Sequence, residues 1–208
     1  MANTDAAFGL RPYSLVGGAT NSTGYTRYII QTPDITGTTA KLYTGQAIIP
    51  LATGVVSEAG NANGGTVALL GVFMGCEYVD TDGKPRFSQY YPGSGSTSSS
   101  DYAYAYVSDD PNQLYEINCD AAAADGIVFS NANFATGVTG TDSTGLSLGE
   151  LAVSTVNTTA ALNMRIVGFS DKPNGDDATA AGRLAIVRLN NHFNAPAGNA
   201  TYSGATGI

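Results

Sequence analysis

The stretch Asp101–Asn118, DYAYAYVSDDPNQLYEIN, limits the fold more than any other part of the chain. In it Tyr102, Tyr104 and Tyr106 alternate with Ala103, Ala105 and Val107. A period of two belongs to an extended strand, whose successive side chains point to opposite faces. Asp109-Asp110-Pro111-Asn112 follows. Proline presets φ, and Asp and Asn bond back to their own backbone, so these four residues make a turn. Gln113 to Asn118 then resumes the alternation. The stretch predicts two antiparallel strands that present a row of tyrosines.

Much of the remaining chain reads in the same way. Strand candidates are 24–31, 41–50 with a kink at Gly45, 67–78, 86–91, 151–155, 161–169 and 183–190. The 67–78 run is the most apolar and reads as a buried strand pair or one long bent strand. Gly71 and Gly75 inside it mark a bulge or a close backbone approach. Asp82-Gly83 predicts a hairpin turn. Asp120–Gly126 has room for one helical turn ended by Gly126, and Ile127–Phe129 for a strand. No window holds apolar residues at i, i+3, i+4 and i+7 over three turns. About ten short strands bounded by turns imply an all-β fold, with a sandwich or barrel-like core and extended N- and C-terminal arms. The expected organisation is an arm over 1–24, a single β domain over 25–190 and a tail over 191–208. Phe8 and Leu10 are the arm's anchors, on its own domain or on a neighbour.

Charge narrows the partners. Nine Lys and Arg stand against 17 Asp and Glu, a net charge of −8. Nucleic-acid binding needs cations that displace counterions from phosphates, so nucleic acid and anionic membranes are excluded and protein partners are expected. No apolar run reaches the ~18 residues of a membrane helix. MANTDAAFGLRP lacks the pattern of a secretory signal, so synthesis in a cytosol is expected. Cys76 and Cys119 read as two buried thiols; a bridge requires a suitable folded distance.

Reactive constellations are sparse. His192 is the lone histidine, sits in a polar tail and has no G-x-S-x-G elbow before it. Asp80-x-Asp82-Gly83 resembles the start of a calcium loop, but position 12 is Tyr91 where a Glu is required. Asp171, Asp176 and Asp177 read as a solvated loop. Two Cys and one His do not make a zinc site. Glu58, Glu77, Glu116 and Glu150 are the only glutamates, and nothing pairs any two of them for glycosidase chemistry. No glycine-rich segment has the lysine or the helix of a phosphate cradle. We therefore assign no catalytic, cofactor-binding or metal residue. The tyrosine face could stack sugars, but such a face more often packs a core edge or a protein interface.

Taken in order, the chain's motifs resemble a family of structural proteins of tailed bacteriophages. They are Met1-Ala2-Asn3-Thr4, Phe8-Gly9-Leu10-Arg11-Pro12, Tyr43-x-Gly45, Gly71-Val72-Phe73-x-Gly75-Cys76-x-Tyr78, Gln89-Tyr90-Tyr91-Pro92-Gly93, Asp109-Asp110-Pro111-Asn112, Met164-Arg165-Ile166-Val167-Gly168 and Val187-Arg188-Leu189-Asn190. The match spans nearly the whole chain and is weakest over 131–151. The resemblance implies a non-enzymatic virion protein made in the bacterial host cytoplasm. The expected role is capsid decoration, or cement, on the outer capsid surface. Its partners would be the major capsid protein and itself, as a homotrimer at local three-fold axes. A tail, neck or fibre component is the alternative, and a secreted carbohydrate-binding or adhesin module is a further one.

Overall fold

The computed structural model describes residues 3–18, 24–59, 68–135 and 139–195. The Asn- and Gly-rich stretch 61–65, a loop by its composition, and the tail beyond Ala195 lie outside them. In chain order the strands are β1 (Arg11–Leu15), β2 (Thr26–Gln31), β3 (Leu42–Tyr43), β4 (Ala47–Pro50), β5 (Val56–Glu58), β6 (Gly71–Val79), β7 (Pro85–Ser88), β8 (Tyr90–Tyr91), β9 (Ala103–Ser108), β10 (Gln113–Asn118), β11 (Asn131–Phe134), β12 (Gly140–Thr141), β13 (Leu146–Ser147), β14 (Leu151–Asn157), β15 (Met164–Phe169) and β16 (Leu184–Leu189). The fold is all-β, as expected. The surplus over about ten strands comes from β1, β5, β11, β12 and β13, which no strand candidate covered, and from the 86–91 candidate dividing into β7 and β8.

Two large sheets carry the architecture. The first runs β1-β10-β16-β15-β11-β14; the second runs β2-β9-β6-β4-β5, with β7 also paired to β6. The end strands β2 and β5 of the second sheet come into contact, so this sheet curls toward a barrel. Ile30, Ile48, Phe73, Cys76, Ala103, Ala105 and Val107 pack with Leu42 and Tyr91 in one core cluster. Ala47, Leu69 and Val72 point the other way and pack against Tyr115, Ile117, Met164, Ile166, Ala185 and Val187 of the first sheet.

The tyrosine stretch is not a hairpin. β9 lies between β2 and β6, whereas β10 lies between β1 and β16. Asp109–Asn112 is thus an arch from one sheet to the other. The physical reason is burial. Ala103, Ala105 and Val107 fill one core while Tyr115 and Ile117 fill the other. The turn chemistry is present all the same: Asn112 N–H donates to Asp110 Oδ1 at 2.8 Å, and Gln113 N–H to Asp110 O at 3.0 Å. The fully buried Tyr115 hydroxyl donates back to Ser108 O at 3.0 Å and holds the arch.

Smaller differences have local causes. β6 is one continuous strand whose register shifts between Phe73 and Gly75, and Gly75 has φ 147°. The bulge is therefore real, and the strand-pair alternative is not adopted. Asp80–Lys84 turns β6 into β7 through Gly83 at φ 76°, as the D-G pair predicts. The expected helical turn is a 3-10 turn at Asp125–Ile127, which contains Gly126. Phe129 leaves it at φ 70°, a left-handed conformation that no strand continues through.

Residues 3–15 are built into the chain's own body. β1 forms an edge of the first sheet, and Leu10 is 1% exposed. Its N–H donates to Gly45 O at 2.7 Å, while Gly9 N–H donates to Gly149 O at 3.1 Å. A Cβ on Gly9 would stand 2.5 Å from Gly45 O, and its φ is 74°. Buried Glu116 takes ion pairs from Arg11 of β1 and from Lys172, whose Nζ is 2.7 Å away. Burial pushes the Glu116 carboxyl up, but hydrogen bonds from Lys172 and Arg11 outweigh it and leave the group below its usual range.

Gly9→Ala should lower unfolding stability by about 2–4 kcal/mol, because strain at positive φ adds to a backbone clash. Gly54→Ala is the control, with φ 83° and nothing within 4 Å of its new Cβ. It should cost only about 1 kcal/mol. Denaturant titration of both variants checks the difference; equal losses would mean that the crossing carries no special constraint.

Candidate functional site

The outer wall of the curled sheet carries the tyrosine row. The alanine face is fully buried, so the layer that packs closely on β9 does so on its small side. The tyrosines face outward, half-buried at Tyr104 and Tyr106 and 48% exposed at Tyr102.

Strand register turns that row into a cleft. On β6, Glu77 stands opposite Tyr104 of β9 on one side and Phe87 of β7 on the other. Val79 stands opposite Pro85. β6 is the floor, Tyr102 and Tyr104 form one wall, and Pro85, Arg86 and Phe87 form the other. The space holds about 230 Å³. Phe87 is 78% exposed, an unusual exposure for a large apolar ring.

The first wall is locked from behind. The Arg27 guanidinium lies 3.5 Å from the centre of the Tyr104 ring. Tyr104 stacks on Tyr102 with centroids 5.8 Å apart and planes 8° from parallel. Arg27 also pairs with Glu77, whose Oε2 accepts the Tyr106 hydroxyl at 3.0 Å. That hydrogen bond, followed by burial, raises the Tyr106 pKa. The order Arg27, Tyr104, Tyr102 is a cation–π contact extended by a ring stack, and it ends on a half-exposed ring.

Sequence reasoning found the tyrosines and missed Arg27 and Phe87. Their signal was weak: each is one residue in a strand candidate, and only register brings them beside the tyrosines.

Elsewhere the single-residue candidates have structural roles. Asp80 Oδ1 accepts from Lys84 N–H at 2.9 Å and from Asp82 N–H at 3.0 Å, which fixes the hairpin turn. Asp177 Oδ1 accepts from Thr179 N–H at 2.9 Å, and its own N–H donates to Asn3 Oδ1 at 2.9 Å. The four glutamates have separate environments. Glu77 lies in the cleft and Glu116 in its ion triad. Glu58 and Glu150 are half-buried with raised pKa values, from burial in both and then from Asp5 and Asp120 at Glu150. Among the described residues, no three His, Cys, Asp or Glu gather where they could hold a metal ion. Cys76 and Cys119 are both free and buried, in different core clusters. Burial, more than the nearby acids Glu77 and Asp120, pushes each thiol up to about 12.

His192 is not the exposed side chain that its polar tail suggests, although its ring nitrogen does cap a backbone N–H nearby. It is 4% exposed, because its segment runs beside Leu69: Phe193 N–H donates to Leu69 O at 2.7 Å and Leu69 N–H to Asn191 O at 2.8 Å. Asn194 N–H donates to His192 Nδ1 at 3.1 Å, so the proton of the neutral ring sits on Nε2. Nε2 is buried without a hydrogen-bond partner among the described residues. Burial lowers the pKa to about 4, against a smaller opposing pull from Asp109.

Comparison with protein-family models, curated proteins and solved structures returns no match. The geometry therefore stands alone. It offers an open aromatic cleft on a rigid wall and a neutral histidine locked into the core.

The histidine has a pH signature. An unfolded chain protonates His192 below about 6.5 and the folded chain does so only near 4, so its contribution is full above 6.5 and is lost as pH falls toward 4. Between pH 7 and pH 5 the loss should be about 2 kcal/mol. Urea titrations at both pH values check this by comparing the native chain with His192→Leu. The raised carboxyls Glu58 and Glu150 act with the opposite sign but are common to both proteins. An equal pH dependence in the two would refute the assignment.

Proposed function

We propose that the chain is a non-enzymatic structural protein of a tailed-phage virion, which binds the outside of the capsid and stabilises the shell as a decoration protein. One observation carries this reading: segments that bear the family resemblance are one another's contact partners. Phe8-Gly9-Leu10 crosses Tyr43-x-Gly45, where a Cβ on Gly45 would stand 2.7 Å from Phe8 O. A Cβ on Gly71 would stand 2.3 Å from Ser108 O and 3.0 Å from Asp109 Cα, so the first glycine of the Gly71–Tyr78 motif meets the start of the Asp109–Asn112 turn. Met164, Arg165 and Ile166 pair with Leu189, Arg188 and Val187 through β15 and β16. Motifs that touch one another in this way belong to one structural unit, which accords with a resemblance that spans nearly the whole chain. This supports carrying the family's role across the full chain.

Physical chemistry favours the same role. A surface with few cations and a net charge of −8 stays off packaged nucleic acid. A protein that binds assembled shells and not free subunits stabilises the shell by its own binding free energy, multiplied over many copies. Its partners in this reading are the major capsid protein and two further copies of itself.

The test is reconstitution. Adding the purified protein to expanded shells that lack it should give saturable binding at copy numbers matching the local three-fold positions, and should raise the shell's disruption temperature. Absence of binding, or binding that leaves the disruption temperature unchanged, would rule the role out. A few copies confined to one vertex would point to the neck or tail instead.

A further inference from the structure

We propose that the cleft between Phe87 and Tyr102 is a binding site for a neutral saccharide. The inference goes beyond the capsid role and does not depend on it.

Geometry comes first. The two walls stand on strands flanking β6, so their backbones lie two strand spacings apart, about 10 Å. Side chains packed at the ~3.5–4 Å carbon contact distance then leave room for one saturated ring between them. The 230 Å³ volume is of that order. The exposed rings of Tyr102 and Phe87 suit such a ring, because a pyranose has a face of C–H groups that packs on a π surface. Preorganisation is already in place: Tyr104, covered by Arg27 and Tyr102, offers no open face itself but holds Tyr102 in position, so ligand binding need not order it.

Charge selects among ring-bearing ligands. The cation at the cleft, Arg27, is compensated by Glu77, and Arg86, which stands beside Tyr78 on the other face, is compensated by Asp80, whose Oδ2 accepts from Arg86 Nε at 2.8 Å. A charged ligand finds no surplus of the opposite sign there. Hydroxyl groups do find partners. The Glu77 carboxylate can accept from them, and the half-exposed Tyr102 has a hydroxyl that can donate or accept. The site is thus aromatic on its walls, polar at its floor, and electrically balanced, which is the chemistry of a neutral polyol ring.

The test is affinity electrophoresis in native gels cast with dextran, mannan or galactan, with polygalacturonate as an acidic control. The native chain should be retarded by at least one neutral polysaccharide and not by polygalacturonate. Tyr102→Ala and Phe87→Ala should each weaken the retardation about ten-fold or more. Both side chains are exposed, so the melting temperatures should stay near that of the native chain. Tyr13→Ala, at an equally exposed tyrosine outside the cleft, should bind as before. No retardation in any neutral gel, retardation that survives both cleft variants, or retardation by the acidic polymer alone would each overturn the assignment. Shell binding of the same variants, measured without saccharide, reports on the decoration role separately. If the two variants lose shell binding and the native chain shows no retardation, the cleft is a protein interface and the saccharide site is rejected.

Discussion

Alternate side chains of β4 and β6 enter different cores, and most of the architecture follows from that constraint. Ala47 and Val72 face the first sheet, while Ile48 and Phe73 face the interior of the curled sheet. A strand buried on both faces reads as a continuous apolar run, not an alternating one. This is why GVFMGC looks so different from AYAYV. The curled sheet must then be covered on both sides. One cover is the first sheet; the other is the sheet's own curvature, with β3, β8 and Tyr91 closing the interior. Small residues at Ala103 and Ala105 let the interior close without overfilling.

The parts of the fold that could be read in advance were those decided within a few residues. The bulge at Gly75, the kink at Gly45 and the hairpin at Gly83 each depend on local backbone freedom; the first two were visible as glycines in an extended run and the third as an Asp-Gly pair between two such runs. The arch was not visible. Asp109–Asn112 has the same turn chemistry whether its flanking strands pair with each other or with strangers, and only long-range burial decides. The burial of His192 was hidden for a similar reason. Its polar neighbours Asn190, Asn191 and Asn194 suggest solvent, yet backbone bonds to Leu69 draw the segment in. The candidate site was half legible. The period of two singled out Tyr102 and Tyr104, but Phe87 and Arg27 joined them through register, which one strand's sequence does not contain.

Two parts of the described surface differ in what they leave open. Around the N-terminal segment, Asn3, Arg11 and Lys172 are tied into hydrogen bonds and ion pairs that hold the chain to itself. On the cleft wall the polar groups are also paired, but the rings beside them are left open. Self-satisfaction of charge with exposure of aromatic area is a pattern suited to recognition by shape and stacking, where specificity comes from fit more than from attraction at a distance.

The place of β1 bears on how the chain is made. Arg11 meets Glu116 across 105 residues of sequence. At translation rates of ~5–20 residues per second, the N-terminal segment waits roughly 5–20 s before its neighbouring strand exists. During that interval it is an unpaired strand with apolar side chains, a hazard for wrong pairing. Pro12, within β1, removes one backbone donor from that edge and lessens the hazard. The last strand in the first sheet, β16, arrives later still, so the sheet that receives β1 closes only once Leu189 has emerged.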